Sequence, residues 1–279
     1  LTDLAEVPLF ETEKDVLDWY ERQPRAITKD FVDSVPWNEI KDCPLKPAFI
    51  PVLLYMRDVE YFTDIYYKEL LRTPTGRDVV IRKFMDRWSV EELQHAELLN
   101  RFLAEAGIST SEKWKTEALS KIPWHYTAGS YVADYTAHAF GQYFHGAHMV
   151  WGAINEITTL QGYRRLAELA EHPVLSKLLV GIMQEESIHA NFYWSIARLK
   201  LAKAKFSRRV ARFVIDKFWS PVGQGPKSAR ETNYVMATLF RGTAGLEVFN
   251  KTITNRIERL PGFDDLKSVT NRVAPIVQA

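Results

Sequence analysis

Cysteine is almost absent from this chain of 279 residues, which carries Cys43 alone. A single thiol excludes a disulfide framework, a Cys-x-x-Cys redox pair and a thiolate zinc site. A surplus of either charge is missing too. Lys and Arg number 36 against 35 Asp and Glu, so no global field announces nucleic acid or an anionic membrane surface. No stretch approaches the roughly 20 apolar residues of a membrane-spanning helix, and no charged-then-apolar leader opens the chain. Strand signals are scarce: the sequence holds no Asn-Gly or Asp-Gly hairpin turn and no sustained period-2 alternation. These absences predict a cytoplasmic protein with no transmembrane segment and no nucleic-acid partner.

What is present reads as helix. Apolar residues recur at three- and four-residue spacing through 49–72, 78–106, 129–170, 174–200 and 229–259. Breakers fall between these segments: Thr73-Pro74-Thr75-Gly76, Gly107, Glu171-His172-Pro173, and the run from Ser220 to Pro226. Ser109 and Glu112 have the spacing of a capping box for the helix that follows Gly107. Pro8, Pro24, Pro36, Pro44 and Pro47 mark residues 1–48 as an extended N-terminal arm around a short helix near Glu13–Arg22. The expected organisation is one all-α domain over 1–279. A four-helix core spans 49–200, and a basic helix, a loop and C-terminal helices fill 201–279.

Two segments carry chemistry: Glu91-Glu92-Leu93-Gln94-His95 and Glu185-Glu186-Ser187-Ile188-His189. In each, Glu-x-x-His places a carboxylate and an imidazole one turn apart on one helix face, the spacing that binds one metal ion. One such match is weak; two, each preceded by a second Glu and on separate long helices, are much stronger. A dinuclear site in a bundle needs one further carboxylate from each remaining helix. Glu60 precedes the Thr73–Gly76 turn by about as many residues as Glu92 follows it, and Glu156 and Glu186 flank Pro173 likewise. At about 1.5 Å per residue each hairpin returns to within roughly 4–6 Å of the height it left, setting Glu60 beside Glu92 and Glu156 beside Glu186. Four buried carboxylates without cations would be prohibitively costly. Two divalent cations balance four Glu, with His95 and His189 neutral. Mixed carboxylate and imidazole ligation suits iron, with manganese or a mixed pair as alternatives. Glu60 and Glu156 are the expected terminal ligands and Glu92 and Glu186 the bridging ones. Glu91 and Glu185 are expected to accept hydrogen bonds from the histidine of the opposite motif.

The segment from Arg87 to Leu99, RWSVEELQHAELL, resembles the signature R-x-W-T-x-E-E-x-x-H-x-x-L-L of the soluble acyl-acyl carrier protein desaturases, though here Arg and Trp are adjacent and Ser stands for Thr. The stretch from Glu156 through Pro173 to His189 is similar in spacing to the shorter bacterial members. Glu156-Ile157-Thr158-Thr159 stands where plant members carry E-R-A-T, so Thr159 matches the threonine that faces the oxygen side in that family. The resemblance covers about residues 50–200. It implies a ferritin-like bundle, a homodimer, a pair of irons, molecular oxygen and a ferredoxin-type electron donor. The implied reaction inserts a cis double bond into an acyl chain borne by acyl carrier protein. The Glu60 segment lacks the doubled glutamate of the plant enzymes, and Glu185 stands where they carry Asp, which leaves regiochemistry open.

A di-iron hydroxylase or N-oxygenase on the same bundle is the enzymatic rival, and a ferritin-like metal-binding protein without turnover is the non-catalytic one. A ribonucleotide reductase small subunit would carry a tyrosine where Leu99 stands. His148 and Gly152 share a helix face with Glu156 and are possible pocket residues, beside the plainer readings of a structural histidine and close helix packing. Trp124, Tyr126, Tyr131, Tyr135, Phe140, Tyr143, Phe144 and Trp151 read as core and dimer interface. Arg198, Lys200, Lys203, Lys205, Arg208, Arg209 and Arg212 form a local basic strip, suited to an acidic carrier or donor protein or simply to a solvated face.

Overall fold

Helical periodicity dictates the elements, and the breakers dictate where they stop. The computed structural model describes residues 8–279, and the first seven residues of the expected arm lie outside that range. In chain order the helices are α1 (Glu13–Arg22), α2 (Lys29–Ser34), α3 (Ile50–Tyr61), α4 (Thr63–Arg72), α5 (Val79–Glu105), α6 (Trp114–Ser120), α7 (Trp124–Phe140), α8 (His145–Ala170), α9 (Pro173–Lys203), α10 (Lys205–Phe218), α11 (Ala229–Leu239), α12 (Gly242–Phe249), α13 (Asn255–Ile257) and α14 (Lys267–Val277). Among the described residues there is no strand, and the protein is an all-α helical bundle. Among the described residues no helix is long and apolar enough to cross a membrane.

The core is two helical hairpins packed together. α3 runs against α5, α8 against α9, and α5 meets α9 between them. The α8–α9 turn is made by Glu171 in the left-handed region, at φ 53°, followed by the His172 cap whose Nδ1 accepts the Leu175 N–H. Pro173 then opens α9 at the one helical position where its missing N–H costs nothing. Asp78 opens α5 by accepting the N–H groups of Val80 and Ile81.

Several segments depart from the sequence reading. The 49–72 helix divides at Phe62, whose N–H is shared between the carbonyls of Asp58 and Val59, so Glu60 sits in the last turn of α3. The 129–170 helix divides at Gly141, which takes φ 55°. No capping box forms at Ser109. α6 begins at Trp114 with no side-chain cap, because Trp114 is drawn into contact with Tyr61 and beneath the Arg57 guanidinium. The short helix expected near Glu13–Arg22 forms as α1 with those bounds, and it buries Val16, Leu17 and Tyr20 against α5 and α9. Trp124, Tyr131 and Tyr135 are not core. They are 80%, 59% and 80% exposed, since α7 buries only Ala137.

His148 binds the turn before α5, its Nδ1 lying 2.6 Å from Thr75 Oγ1, and it packs edge-on to Phe144. Burial, and then repulsion from His145, pushes its imidazole down to about 3 from an ordinary 6.5. The ring therefore stays neutral in the folded chain while the unfolded chain takes up a proton below about 6.5, so stability is lost as the pH falls from there towards 3. His148→Gln, which keeps a polar partner for Thr75, is expected to lessen the fall in melting temperature between pH 7 and pH 4. Circular dichroism melts of the metal-free proteins measure it, and equal slopes would contradict the assignment.

Candidate metal centre

Glu60 from α3, Glu92 and His95 from α5, Glu156 from α8, and Glu186 and His189 from α9 converge in the middle of the bundle, and all six are buried. They form two overlapping sets. Glu60, Glu92, His95 and Glu186 each offer one ligand atom within 4.8 Å of the others, and so do Glu92, Glu156, Glu186 and His189. Glu92 and Glu186 belong to both sets; Glu60 and Glu156 belong to one each. The helical hairpins thus bring the carboxylates to one level, as counting along the chain anticipates.

Hydrogen bonding tests whether the cluster suits metal. The Nδ1 atoms of His95 and His189, Oε1 of Glu92 and both carboxylate oxygens of Glu186 are buried without a hydrogen-bond partner. His95 Nδ1 lies 3.1 Å from Glu186 Oε1, and His189 Nδ1 lies 3.0 Å from Glu92 Oε1. Orphaned buried polar atoms each cost about 1–3 kcal/mol, and a bundle rarely tolerates five at one point. All five are metal-ligand atoms facing one another, so the donor set fits metal ions.

The outer ring of contacts orients these ligands. His95 Nε2–H donates to Glu185 Oε2 and His189 Nε2–H donates to Glu91 Oε2, both at 2.9 Å. Each bond leaves Nδ1 pointing into the cluster, where a neutral ring would offer its lone pair to a metal. Burial works to lower the His95 imidazole, but its bond to Glu185 and the carboxylates of Glu186 and Glu60 outweigh burial and raise it well above its ordinary range. Burial works to raise the Glu91 carboxyl, but its bonds to His189 and Arg87 outweigh it and hold Glu91 at about 2. Glu185 is likewise held low, by His95 and the Ile27 N–H, against burial. Inside the ring three of the four carboxylates shift the other way, while Glu60, against burial, is held below its usual range by Glu92 and His95. Burial, then repulsion from neighbouring carboxylates, pushes Glu92 and Glu186 well above the usual range, and burial raises Glu156. Four carboxylates at this spacing must hold either protons or cations.

Three contributors escape a sequence reading. Tyr163, two turns beyond Glu156 on α8, donates to Glu60 Oε1. Its signal was the seven-residue spacing that keeps it on the Glu156 face. Arg87 donates to Glu91 Oε1 at 2.7 Å and to the carbonyls of Tyr20 and Gln23. The i,i+4 pair with Glu91 could have flagged it. No signal marks the turn after α1, where the Ala26 and Ile27 N–H groups donate to Glu185 Oε1 at 2.8 and 3.0 Å. Tyr20 Oη donates to Glu91, and Arg25 lies 3.3 Å from the same carboxylate. One short stretch of the arm therefore holds both outer carboxylates.

The remaining candidates are placed as follows. Thr159 lines a small internal cavity with Glu60 and Thr158, while the Thr158 hydroxyl is spent on the Ile154 carbonyl. His148 is engaged with Thr75, and the space beside Gly152 is filled by the Tyr193 ring, 2.2 Å from where a Cβ would stand. Most of the basic strip is consumed within the chain. Lys200 binds Asp78 and Glu13, Lys203 binds Glu13, Arg212 binds Asp216, and Arg198 and Arg208 donate to backbone carbonyls. Lys205 and Arg209 are its only members with neither an ion pair nor a hydrogen bond among the described residues.

Compared with protein-family models, with curated proteins and with solved structures, the chain matches none. Its site therefore stands on geometry alone.

A site built for cations is a burden without them. Glu92→Gln removes one of four mutually repelling buried carboxylates, so it is expected to stabilise the metal-free protein by about 1–4 kcal/mol. The same substitution should cut bound iron to one per chain or less. Denaturant melts and metal analysis read the two effects, and a destabilised metal-free variant with full iron would refute the assignment.

Proposed function

We propose that this chain is an oxygen-dependent di-iron oxidoreductase that removes two vicinal hydrogens from an acyl chain, a desaturase. The observation that carries the metal reading is the pair of buried Glu/His sets sharing Glu92 and Glu186, with the outward nitrogen of each histidine fixed by a carboxylate. The acyl substrate, the ferredoxin-type donor and the homodimer rest on the resemblance of Arg87–Leu99 to the acyl-acyl carrier protein desaturases. Iron is favoured over manganese or a mixed pair on the same ground.

Two irons bound here would supply the redox chemistry of oxygen activation. The balance is simple. One dioxygen takes two hydrogens from the substrate, two electrons from the donor and two protons from solvent, leaving a double bond and two waters.

The protein's part is positioning and exclusion. Glu185 and Glu91 hold His95 and His189 in the tautomer that presents Nδ1, and Arg87 keeps Glu91 ionised. Tyr163 orients the Glu60 carboxylate by donating to one oxygen. Phe84, Trp88, Phe192 and Tyr193 pack edge and face beside His189 and keep water from that end of the site. Thr159 lines the small cavity that Glu60 also lines, where its hydroxyl would be available as a proton donor. The apolar remainder of that wall, Met56, Val59 and Phe240, offers contact to a hydrocarbon chain and nothing to a sugar or a nucleotide.

The test is anaerobic reconstitution with ferrous iron, a metal count, and then oxygen and reduced ferredoxin with acyl substrates under mass spectrometry. About two irons per chain and a product lighter by two mass units are expected. A product heavier by 16 would make the protein a hydroxylase, two irons with no acyl product would overturn the substrate, and less than one iron would overturn the site.

A further inference from the structure

Exposed rings gather on one side of the molecule. Of the fourteen large apolar side chains left exposed among the described residues, eight lie on α7, on α10 or in the turn Gly141–Phe144. Single exposed hydrophobics are ordinary, whereas a continuous set marks a surface that something else covers. On α7, Trp124, Ala128, Tyr131 and Tyr135 follow at steps of four, three and four residues, so they share one face. That face points outward, with Trp124 and Tyr135 each 80% exposed. The polar contacts of α7 are made away from it, where Tyr126 donates to Glu69 and Asp134 binds Arg72. Asp134 is the only carboxylate in the helix, and α7 holds no Lys or Arg.

α10 continues this surface and adds charge. The Phe206 ring packs against Phe140 at 6.3 Å and Tyr143 at 5.1 Å, which joins the two helices. Val210, Ala211 and Ile215 face the bundle. On the outer face Lys205, Arg209, Phe213 and Lys217 recur every fourth residue, all exposed, and Phe218 stands edge-on to Phe213 at 5.8 Å. The helix carries five Lys and Arg against one acid, Asp216, which is spent on Arg212 and Ser268. Arg208 turns back to the carbonyls of Leu201 and Ala202. On the neighbouring loop Asp265 holds Lys267, and the carbonyls of Asp264 and Asp265 face Arg212. Lys205, Arg209 and Lys217 make neither an ion pair nor a hydrogen bond among the described residues.

We propose that these two outer faces seat the protein on an anionic phospholipid bilayer. Lys205, Arg209 and Lys217 meet the headgroups, and Trp124, Tyr131 and Tyr135 lie at the boundary with the acyl chains. Indole and phenol rings are favoured at that depth, because an apolar body and a polar tip match the change from hydrocarbon to water. Cations on the same side add attraction to anionic lipid. The balanced total of 36 Lys and Arg against 35 Asp and Glu conceals this local surplus. A second copy laid on the α10 face would answer its cations with further cations and no free acid. An acidic protein would satisfy α10 but finds no charge to pair on the outer face of α7, whereas a bilayer takes both. The protein lies on the bilayer and not across it, since no described helix is long and apolar enough to span one. The proposal goes beyond the metal and substrate readings and depends on neither.

Co-sedimentation of the full chain with vesicles tests the surface, using phosphatidylglycerol and phosphatidylcholine in equal parts against phosphatidylcholine alone. Binding to the mixed vesicles is expected, weakening as salt is raised, with little on the neutral ones. Lys205→Ala combined with Arg209→Ala should weaken it roughly tenfold to thirtyfold, at about fivefold for each charge removed. Trp124→Ser combined with Tyr135→Ser should weaken it roughly tenfold or more. All four side chains are exposed, so the variants should melt with the natural chain in circular dichroism. Trp124 is the one exposed tryptophan among the described residues, so Trp124→Phe should remove most of the fluorescence quenching by lipids brominated near the headgroup. No binding to the mixed vesicles would overturn the proposal. So would equal binding to neutral vesicles, indifference to both double variants, or a solution dimer that the Trp124→Ser, Tyr135→Ser chain cannot form. Binding of an acidic carrier protein, lost with Lys205→Ala and Arg209→Ala while vesicles go unbound, would give the face to a protein instead. Neither metal nor acyl substrate enters the measurement, so its failure leaves the metal centre standing.

Discussion

Everything in this molecule answers to the cost of burying four carboxylates and two imidazoles in the middle of a helical bundle. Such a cluster is tolerable only if its charge is neutralised and its lone pairs are used, and both conditions constrain the surroundings. Glu92 and Glu186 sit between two sets of ligands, so α5 and α9 must meet at one level. Glu60 and Glu156 complete one set each, so the two hairpins must return to the height they left. The long straight runs of α5, α8 and α9 supply that rigidity, and the turns at Thr73–Gly76 and Glu171–His172 set the register.

The outer carboxylates show how the constraint spreads. Glu91 and Glu185 are as buried as the ligands, yet they are held strongly acidic, because each accepts several hydrogen bonds. Those bonds come partly from outside the bundle. Ala26, Ile27, Arg25 and Tyr20 all belong to α1 or the turn after it. The N-terminal arm is thus a structural part of the cluster. Its capping box at Thr12 and its buried Val16, Leu17 and Tyr20 serve to hold that turn in place. Through Glu91 and Glu185 the arm helps fix which nitrogen of each histidine faces the cluster.

Departures from the sequence reading share a cause, which is competition between local signals and distant packing. Ser109 and Glu112 have capping-box spacing, but Trp114 gains more by docking on Tyr61 and Arg57 than the cap would supply. Of the two readings of Gly152, room for a ligand and close helix packing, the second holds, since Tyr193 from the facing helix fills the space. The basic strip looked like a docking face. Its partners Glu13 and Asp78 lie far away in sequence, so the neutralisation is invisible until the chain is folded. The aromatic helix α7 departs in part: Phe140 packs on the core and Tyr126 bonds Glu69, while Trp124, Tyr131 and Tyr135, read as core or dimer interface, stand exposed.

The helical class and the six buried Glu and His side chains of the cluster were legible in the sequence itself. They depend on short-range spacing, three residues for Glu-x-x-His and nearly equal counts across a turn, which the regular rise of an α-helix converts directly into position. Opposing each outer glutamate to the other motif's histidine was legible for the same reason. Tertiary structure alone decided the rest: the turn at Ala26–Ile27 on Glu185, Tyr163 on Glu60, and Tyr55 on the Val222 carbonyl. Those contacts join residues scores of positions apart through packing, and neither periodicity nor motif carries information about which distant surfaces a folded chain will press together.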